Sequence, residues 1–324
     1  MMIRVENLVK RYGGTAYALD DVSFEIGEGE IVGLLGANGA GKSTTMNILT
    51  GYLSATSGKA EIAGLDILEN PTEAKKLIGY LPEQPPVYPD MTVDEYLRFV
   101  YELKGCTLPR KEHLEEIMEV VKIREVRSRL IRNLSKGYRQ RVGIAQALIG
   151  DPKVIIFDEP TVGLDPKQIL EVRNLIRRLG KKHTVILSTH ILAEVQAVCE
   201  RIIIINHGRI IANARTDELT RAIESSAIYE YVIAGPSKDV AAALREVPGV
   251  SGVSSAPGRE ADAAAYHVET VKGADVRRSV FRVCAQHNWP ILGLSTVGND
   301  LESIFIRLVD DADGITAKKS KKNR

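Results

Sequence analysis

The chain has 324 residues, of which 44% are hydrophobic and 26% are charged, an ordinary globular composition with room for one large domain and a smaller one. Its 43 lysines and arginines nearly balance its 42 aspartates and glutamates, so the formal net charge of +1 gives no global field that would attract nucleic acid or anionic lipid. Any charged ligand must be bound by a local site.

The cysteines and the apolar runs argue against a secreted or membrane-spanning chain. Cys106, Cys199 and Cys284 lie far apart, without the spacing of a disulfide framework or a metal site. The N-terminal MMIRVENLVKRYGG contains no apolar signal core, and the longest aliphatic run, RIIIINHG, is far shorter than the roughly 20 residues of a membrane span. We therefore predict a soluble cytosolic chain with reduced thiols.

Short apolar runs alternate with amphipathic segments as far as about residue 215, which is typical of a layered α/β domain. The runs IVGLL, VIIF and TVILS are predicted to be strands that are buried on both faces. Between them, residues 111 to 127 and 166 to 179 carry apolar side chains at helical spacing, so both segments are predicted to be helices.

Helix caps mark two of these segments. Thr92 and Glu95 form a capping-box pattern before YLRFVYELKG. Asp165 precedes Pro166, which is a typical helix start, and Gly180 is a typical helix end. Asp165 is therefore predicted to have a structural role in addition to any functional one.

A second pattern begins at Tyr229, after the small and polar residues 221 to 228. Its segments are, in order, strand IYEYVIAG, helix KDVAAALREVP, strands GVSGVSSAP and AAYHVETV, helix DVRRSVFRVCAQHN and strand PILGLSTVG. This βαββαβ order predicts a ferredoxin-like domain. A short helix, DLESIFIRLV, is predicted to follow, and the basic tail KKSKKNR is predicted to be disordered. The predicted domains are residues 1–220 and 221–310, with the tail at 311–324.

The stretch GANGAGKSTT follows the first buried strand and precedes a helical segment. Gly36, Gly41, Lys42 and Ser43 fit the phosphate-binding pattern G-x-x-x-x-G-K-[ST]. Glycines let the backbone curl so that successive N–H groups point into one concavity, at the positive end of the helix. A serine-capped turn is the alternative, but the position behind a strand favours a nucleotide site, with Lys42 on the terminal phosphates and the Ser43 hydroxyl on Mg²⁺.

Two further strands end in polar residues. VIIFDEP ends in Asp158 and Glu159, and His190 follows TVILST. Parallel sheets bind ligands beyond the carboxyl ends of their strands, so these groups should meet the phosphate loop at one edge. Alone, the acidic pair could be a solvated turn and the histidine structural. Beside the loop, Asp158 is predicted to bind Mg²⁺, Glu159 to activate the attacking water and His190 to contact the γ-phosphate.

The ordered set of motifs resembles the nucleotide-binding subunit of an ABC transporter over roughly residues 3 to 215. The matching motifs are the Walker A loop GANGAGKST, the Q-loop GYLPEQPPVY, the signature LSKGYRQRVGIAQAL, the Walker B strand VIIFDEP, the D-loop TVGLDP and the His switch STH. The resemblance implies an α/β P-loop NTPase fold of the ABC ATPase type, with a RecA-like core, an antiparallel β-subdomain and a helical signature subdomain, followed here by the small α+β ferredoxin-like domain.

The resemblance also implies a role for residues outside the loop. Tyr12 would stack on adenine, unless it is an ordinary strand tyrosine. Gln84 would bridge Mg²⁺, the attacking water and the groove for a membrane partner, and Asp165 would act across the dimer interface. Ser135 and Gly137 would contact the γ-phosphate held by the opposite subunit, so that two chains enclose two ATP molecules. The loop residues implied in ATP binding are Gly36, Ala37, Asn38, Gly39, Ala40, Gly41, Lys42, Ser43 and Thr44.

The signature departs from the family consensus LSGGQ at Lys136 and Tyr138, but Ser135 and Gly137 are retained, so hydrolysis is expected to survive. This signature, the GLDP turn and DLESIFIRLV resemble the export-type branch, which includes gliding-motility, drug-resistance and sodium exporter ATPases. Residues 229 to 300 resemble the accessory domain of some of these ATPases. This domain has either a structural or dimer-stabilising role or a ligand-sensing role.

The resemblance implies separate transmembrane permease subunits and a second, identical or different, ATPase subunit as partners, at the cytoplasmic face of the cell membrane. No nucleic acid partner is expected. PPVYPDM after Gln84 is either a permease contact or a proline-rich surface loop, and KKSKKNR is either a lipid contact or merely solvated. The alternatives are an importer ATPase with a ligand-sensing C-terminal domain and a soluble ABC ATPase outside transport, which the single Walker A loop disfavours.

Overall fold

The computed structural model describes residues 1–13, 16–218, 228–257, 262–271 and 273–297. Contacts divide the chain into two compact units, residues 1–216 and 217–324. The domain limits predicted above stay predictions. The predicted helix DLESIFIRLV and the tail KKSKKNR lie outside the described residues.

The first unit contains a four-stranded antiparallel sheet in the order β2-β1-β4-β5. Alternate residues of β1, among them Ile3 and Val5, are buried against the core, as expected for a sheet with one covered face. The predicted antiparallel subdomain is confirmed. Its strands are β1 (Ile3–Arg11), β2 (Tyr17–Ile26), β4 (Ser57–Ile62) and β5 (Leu65–Asp66).

The second sheet carries six strands in the order β10-β9-β3-β8-β7-β6, and only β10 runs antiparallel to its neighbour. The three strands predicted from IVGLL, VIIF and TVILS are confirmed as β3, β7 and β8, and every residue in them is buried. These strands are neighbours, so their carboxyl ends meet at one edge. The strands are β3 (Ile31–Leu35), β6 (Ile78–Leu81), β7 (Val154–Asp158), β8 (Thr184–Thr189), β9 (Arg201–Asn206) and β10 (Arg209–Arg215).

The predicted caps are confirmed. Thr92 and Glu95 form both bonds of a capping box at the start of α3. The Asp165 carboxylate accepts a hydrogen bond from the Gln168 backbone N–H at 2.9 Å, and Gly180 caps the other end of α6. The helices of this unit are α1 (Lys42–Leu49), α2 (Pro71–Lys76), α3 (Val93–Leu103), α4 (Arg110–Val120), α5 (Lys136–Leu148), α6 (Pro166–Leu179) and α7 (Leu192–Val198).

The helix predicted over residues 111 to 127 is wrong at its C-terminal end, because α4 stops at Val120. Lys122 takes the left-handed conformation, with φ at 58°. The backbone N–H of Ile123 then donates to the carbonyl of Met118, which closes the helix in a Schellman arrangement. Ile123 is fully buried, so the apolar spacing continues past the end of the helix and disguises it.

The second unit confirms the predicted βαββαβ order. Its four antiparallel strands lie in the order β12-β13-β11-β14. Tyr231 and Tyr266 from the sheet pack with Leu244, Val280 and Cys284 from the helices. Burial raises the pKa of the Cys284 thiol, so this side chain behaves as a core residue. The elements are β11 (Ile228–Ala234), α8 (Ser237–Arg245), β12 (Val250–Pro257), β13 (Ala263–Thr270), α9 (Arg277–Gln286) and β14 (Ile291–Val297).

No helix among the described residues is both long and apolar enough to cross a membrane.

Candidate active site

The glycine-rich loop connects β3 to α1 and packs closely against neighbouring strands. A Cβ on Gly36 would lie 2.5 Å from the carbonyl oxygen of Ile205, and a Cβ on Gly41 would lie 2.9 Å from that of Ala18. Gly41 also has a φ of 113°, which favours glycine. The backbone can therefore approach its neighbours only because these side chains are absent.

A cavity of about 360 Å³ opens beside this loop. Besides residues 38–39 and 41–44 of the loop, it is lined by Glu83, Glu159, Val162 and His190, with Ala18 from β2. The structure thus brings the loop together with groups that follow β7 and β8. The predicted convergence of three strands on one edge is present.

Lys42, Glu159 and His190 form a continuous polar chain in this cavity. The Lys42 ammonium lies 3.5 Å from Glu159 Oε1 and donates to the carbonyl oxygens of Gly36 and Ala37 at 2.8 and 3.3 Å. His190 Nδ1 lies 3.0 Å from both Glu159 oxygens. Lys42 and Glu159 are 5% and 7% exposed, so water screens this pair weakly.

Glu159 holds its carboxylate on a strained backbone. Its φ is 48°, a left-handed conformation that costs a non-glycine residue of order 1–3 kcal/mol. The backbone N–H of Glu159 donates to the carbonyl of Ser188 on β8 at 3.0 Å, which helps to hold the turn. Such strain persists only where the surroundings fix it, and it is typical of functional sites.

Asp158 fits the chemistry of a cation ligand. It is 3% exposed, it accepts a 2.6 Å hydrogen bond from the Ser188 hydroxyl at Oδ1, and it forms no ion pair within the described part of the chain. A buried carboxylate without a paired cation is costly, and a divalent ion would offset that cost. Ser43, which is exposed and lines the cavity, has a hydroxyl oxygen that could serve as a second ligand. Burial, with a smaller contribution from the negative charge of Asp158, raises the pKa of the Tyr80 hydroxyl.

The Q-loop contributes a residue that the sequence analysis missed. Glu83 lines the cavity, whereas the predicted Gln84 is exposed and is not part of the lining. Both follow the short strand β6, which lies parallel to β7, so the carboxyl end of a fourth parallel strand was the available signal.

Tyr12 stands at the rim of this loop. Its side chain is 64% exposed, and its hydroxyl lies 3.3 Å from the hydroxyl of Thr44, within the phosphate-loop helix. An exposed ring anchored at its hydroxyl can stack on a planar base. Tyr12 lies one residue beyond the end of β1, and the Lys10 ammonium lies 5.4 Å from the centroid of its ring, so both roles predicted for it stay predictions.

The single chain does not bring the signature to the phosphate loop. Ser135 caps α5 by accepting from the Tyr138 backbone N–H at 3.4 Å. Gly137 and Asp165 line a second cavity, of about 790 Å³, which shares no residue with the first. A Cβ on Gly137 would lie 2.6 Å from Cδ of Gln168. None of Ser135, Gly137 and Asp165 is among the residues that line the first cavity.

Comparison with known proteins places this chain in a family. A family profile described as "ABC transporter" matches residues 19–162. The linearmycin resistance ATP-binding protein LnrL of Bacillus subtilis is 31% identical over 310 residues, which are 95% of this chain and 98% of the relative. The chain belongs to the ABC transporter ATP-binding proteins. As a member of this family it is an ATPase of the ABC type.

Two further comparisons agree with this ABC ATPase assignment. The bacitracin transport ATP-binding protein BcrA of Bacillus licheniformis is 36% identical over 222 residues, covering 68% of this chain and 72% of the relative. A solved dimer of the ATP-binding cassette MJ0796, in a post-hydrolysis state with ADP and phosphate, aligns with a TM-score of 0.61 and 28% identity, over 66% of this chain and 99% of that one. The predicted fold class is confirmed.

Proposed function

We propose that this chain is the ATP-hydrolysing subunit of an ABC exporter, which binds Mg-ATP between two subunits and drives separate permease subunits at the cytoplasmic face of the membrane. The observation that carries the proposal is the contact of Glu159 with both Lys42 and His190 in one cavity. The relatives LnrL and BcrA, named for linearmycin resistance and bacitracin transport, support export of a toxic compound rather than import.

The residues of the cavity have distinct tasks. Lys42 exchanges its backbone carbonyl partners for the terminal phosphate oxygens of ATP. Glu159 accepts a proton from the attacking water, and His190 orients that carboxylate and contacts the γ-phosphate. Ser43, Asp158 and Gln84 would hold Mg²⁺, which neutralises phosphate charge when bound. Hydrolysis of this kind depends on positioning and charge more than on covalent chemistry.

A second subunit would complete the site. Ser135 and Gly137 do not line the phosphate cavity of their own chain, which supports the proposal that they contact the γ-phosphate held by a partner chain. Asp165 lies in the same cavity as Gly137 and would act across that interface. ATP bound between the two chains would hold the pair closed, and hydrolysis would let the two chains separate.

The permease is proposed to dock on the segment after Gln84. Tyr88 is 52% exposed, and its ring packs edge-on against that of Phe99, with 5.4 Å between centroids. Phe99 is 37% exposed. Exposed aromatic side chains are enriched where proteins meet.

The ferredoxin-like unit carries no catalytic group in this proposal and has a structural or dimer-stabilising role.

Replacing Glu159 with glutamine tests the proposal. The substitution keeps the size of the side chain but removes the base, so turnover should fall by roughly 10²–10⁴ while ATP binding stays nearly intact. Steady-state ATPase kinetics and equilibrium nucleotide binding on the purified full chain measure both. Glu28→Gln, at an exposed position, is the matched control. Wild-type turnover in the Glu159→Gln protein would refute the assigned base.

Export is tested separately. The chain should co-purify with a multi-helix membrane protein encoded beside it, and deletion of its gene should sensitise cells to a toxic compound. A solute-binding protein encoded in the same cluster, with loss of uptake on deletion, would instead show an importer.

A further inference from the structure

We propose that Glu194 is a positioning residue for ATP hydrolysis, because its buried carboxylate fixes the two chain segments that carry Glu159 and His190. The inference rests on the proposed ATPase function and concerns a residue outside the cavity. Glu194 lies on α7 and is 2% exposed. It does not line the phosphate cavity, so it acts through other residues.

Each oxygen of the Glu194 carboxylate accepts a hydrogen bond from one threonine. Thr161 Oγ1 donates to Oε1 at 2.6 Å, and Thr189 Oγ1 donates to Oε2 at 3.0 Å. Thr161 is two residues after Glu159, and Thr189 immediately precedes His190. One carboxylate therefore joins the turn after β7 to the end of β8, at the two points where the reacting groups leave the sheet.

Glu194 forms an ion pair with one cation but no hydrogen bond with it, so the two threonine hydroxyls supply its hydrogen bonds. The cation beside it, Arg173, has Nη2 3.9 Å from Oε1, beyond hydrogen-bond distance. Arg173 Nε is itself buried without a hydrogen-bond partner among the described residues. Burying a carboxylate is costly, and an apolar side chain would pack there at lower cost. The acid is therefore better explained by what it positions than by packing.

The strained backbone of Glu159 explains why its turn needs such a hold. Its φ of 48° is unfavourable for a non-glycine residue. The next residue, Pro160, is fixed through its carbonyl, which accepts from Gln140 Nε2 at 2.8 Å. Thr161 is fixed by Glu194. Without this second anchor the turn could relax toward an ordinary φ, and the carboxylate would move relative to the attacking water.

The anchor on Thr189 acts on the histidine in the same way. Its hydroxyl donates to Glu194 and also accepts from the backbone N–H of Ile191 at 3.1 Å. The Thr189 hydroxyl therefore fixes both chain neighbours of His190, because it binds Glu194 and also holds the backbone of Ile191. Losing the carboxylate would loosen the imidazole that lies against Glu159.

The test measures kcat and KM for ATP in Thr161→Val, Thr189→Val, Glu194→Ala and Glu194→Gln variants of the full chain. We expect kcat to fall about 10- to 100-fold in the valine and alanine variants, the cost of a small misplacement of catalytic groups. KM should stay within about threefold, because the phosphate loop is not touched. Glu194→Gln should restore part of the rate, since an amide accepts one hydroxyl bond and donates another. Gln196→Ala, exposed on the same helix, is the matched control.

A second measurement separates positioning from general damage. In a Glu159→Gln background, adding Thr161→Val should change the residual rate less than about twofold, because the carboxylate that Thr161 helps to position is already gone. An equal fall in both backgrounds would overturn the inference, and so would wild-type kcat in both valine variants. If Glu194→Ala does not fold, the valine variants decide. If Glu159→Gln itself keeps wild-type turnover, Glu159 is not the base, and the inference that Glu194 positions it fails as well.

Discussion

Replacing Lys42 with methionine tests the phosphate cradle most directly. The Lys42 ammonium donates two hydrogen bonds to backbone carbonyls and lies 3.5 Å from Glu159, and Lys42 is only 5% exposed. Binding a phosphate exchanges those carbonyl bonds for bonds to a charged oxygen. The net loss in the variant should therefore be about one charge-assisted hydrogen bond, roughly 1.5–3 kcal/mol. That corresponds to ATP binding about 10- to 150-fold weaker.

Isothermal titration of the full chain with Mg-ATP measures this loss. Methionine keeps the length of the side chain, and His190 remains 3.0 Å from Glu159, so the carboxylate keeps a partner and the fold should persist. Lys111→Met, at an exposed position on α4, is the control and should bind ATP normally. An affinity within about threefold of wild type in folded Lys42→Met protein would refute the argument that this ammonium grips the phosphates.

Three further substitutions test the roles of Tyr12, Gly137 and Lys104. Tyr12→Ala should weaken ATP binding by about 1–3 kcal/mol, the worth of stacking on one base, and Tyr12→Phe should not; titration with ATP checks both. Gly137→Ala should push Gln168 aside, since the new Cβ would lie 2.6 Å from its Cδ, and should lower kcat at nearly unchanged ATP affinity in an ATPase assay. Burial lowers the pKa of Lys104 from 10.5 to about 8 in the folded chain. Between about pH 8 and 10.5 the unfolded chain therefore binds more protons than the folded chain, so the contribution of Lys104 to the free energy of unfolding rises with pH over this range. Thermal melting across this range should show the rise in wild type and a flatter profile in Lys104→Met.

Much of the fold could be predicted because local signals and burial agree. The strands β3, β7 and β8 are uninterrupted apolar runs, and they are buried on both faces as such runs require. The cap at Asp165 has the hydrogen bond that its position before Pro166 suggests. The proximity of Lys42 and Glu159 was also predictable from the sequence, because both residues follow the carboxyl ends of parallel strands.

Other features could not be predicted, because they depend on contacts between distant segments. The spacing around Lys122 stays helical although the backbone turns left-handed there, so α4 ends early without a sequence signal. The φ of Glu159 and the role of Glu194 arise from hydrogen bonds between β7, β8 and α7. No local pattern marks Glu194 as different from an ordinary acid in an amphipathic helix.

The two departures in the signature are accommodated by contacts within the chain. The Tyr138 hydroxyl donates to the carboxylate of Glu125, which anchors that side chain away from the helix start. The Lys136 ammonium lies beside Gly163. A Cβ on residue 163 would be 1.9 Å from Lys136 Nζ, so the ammonium fits there because residue 163 has no side chain. Ser135 caps α5. Lys136 lies beside the D-loop turn, and the two residues that would meet a γ-phosphate, Ser135 and Gly137, are retained, which is why hydrolysis is expected to survive both departures.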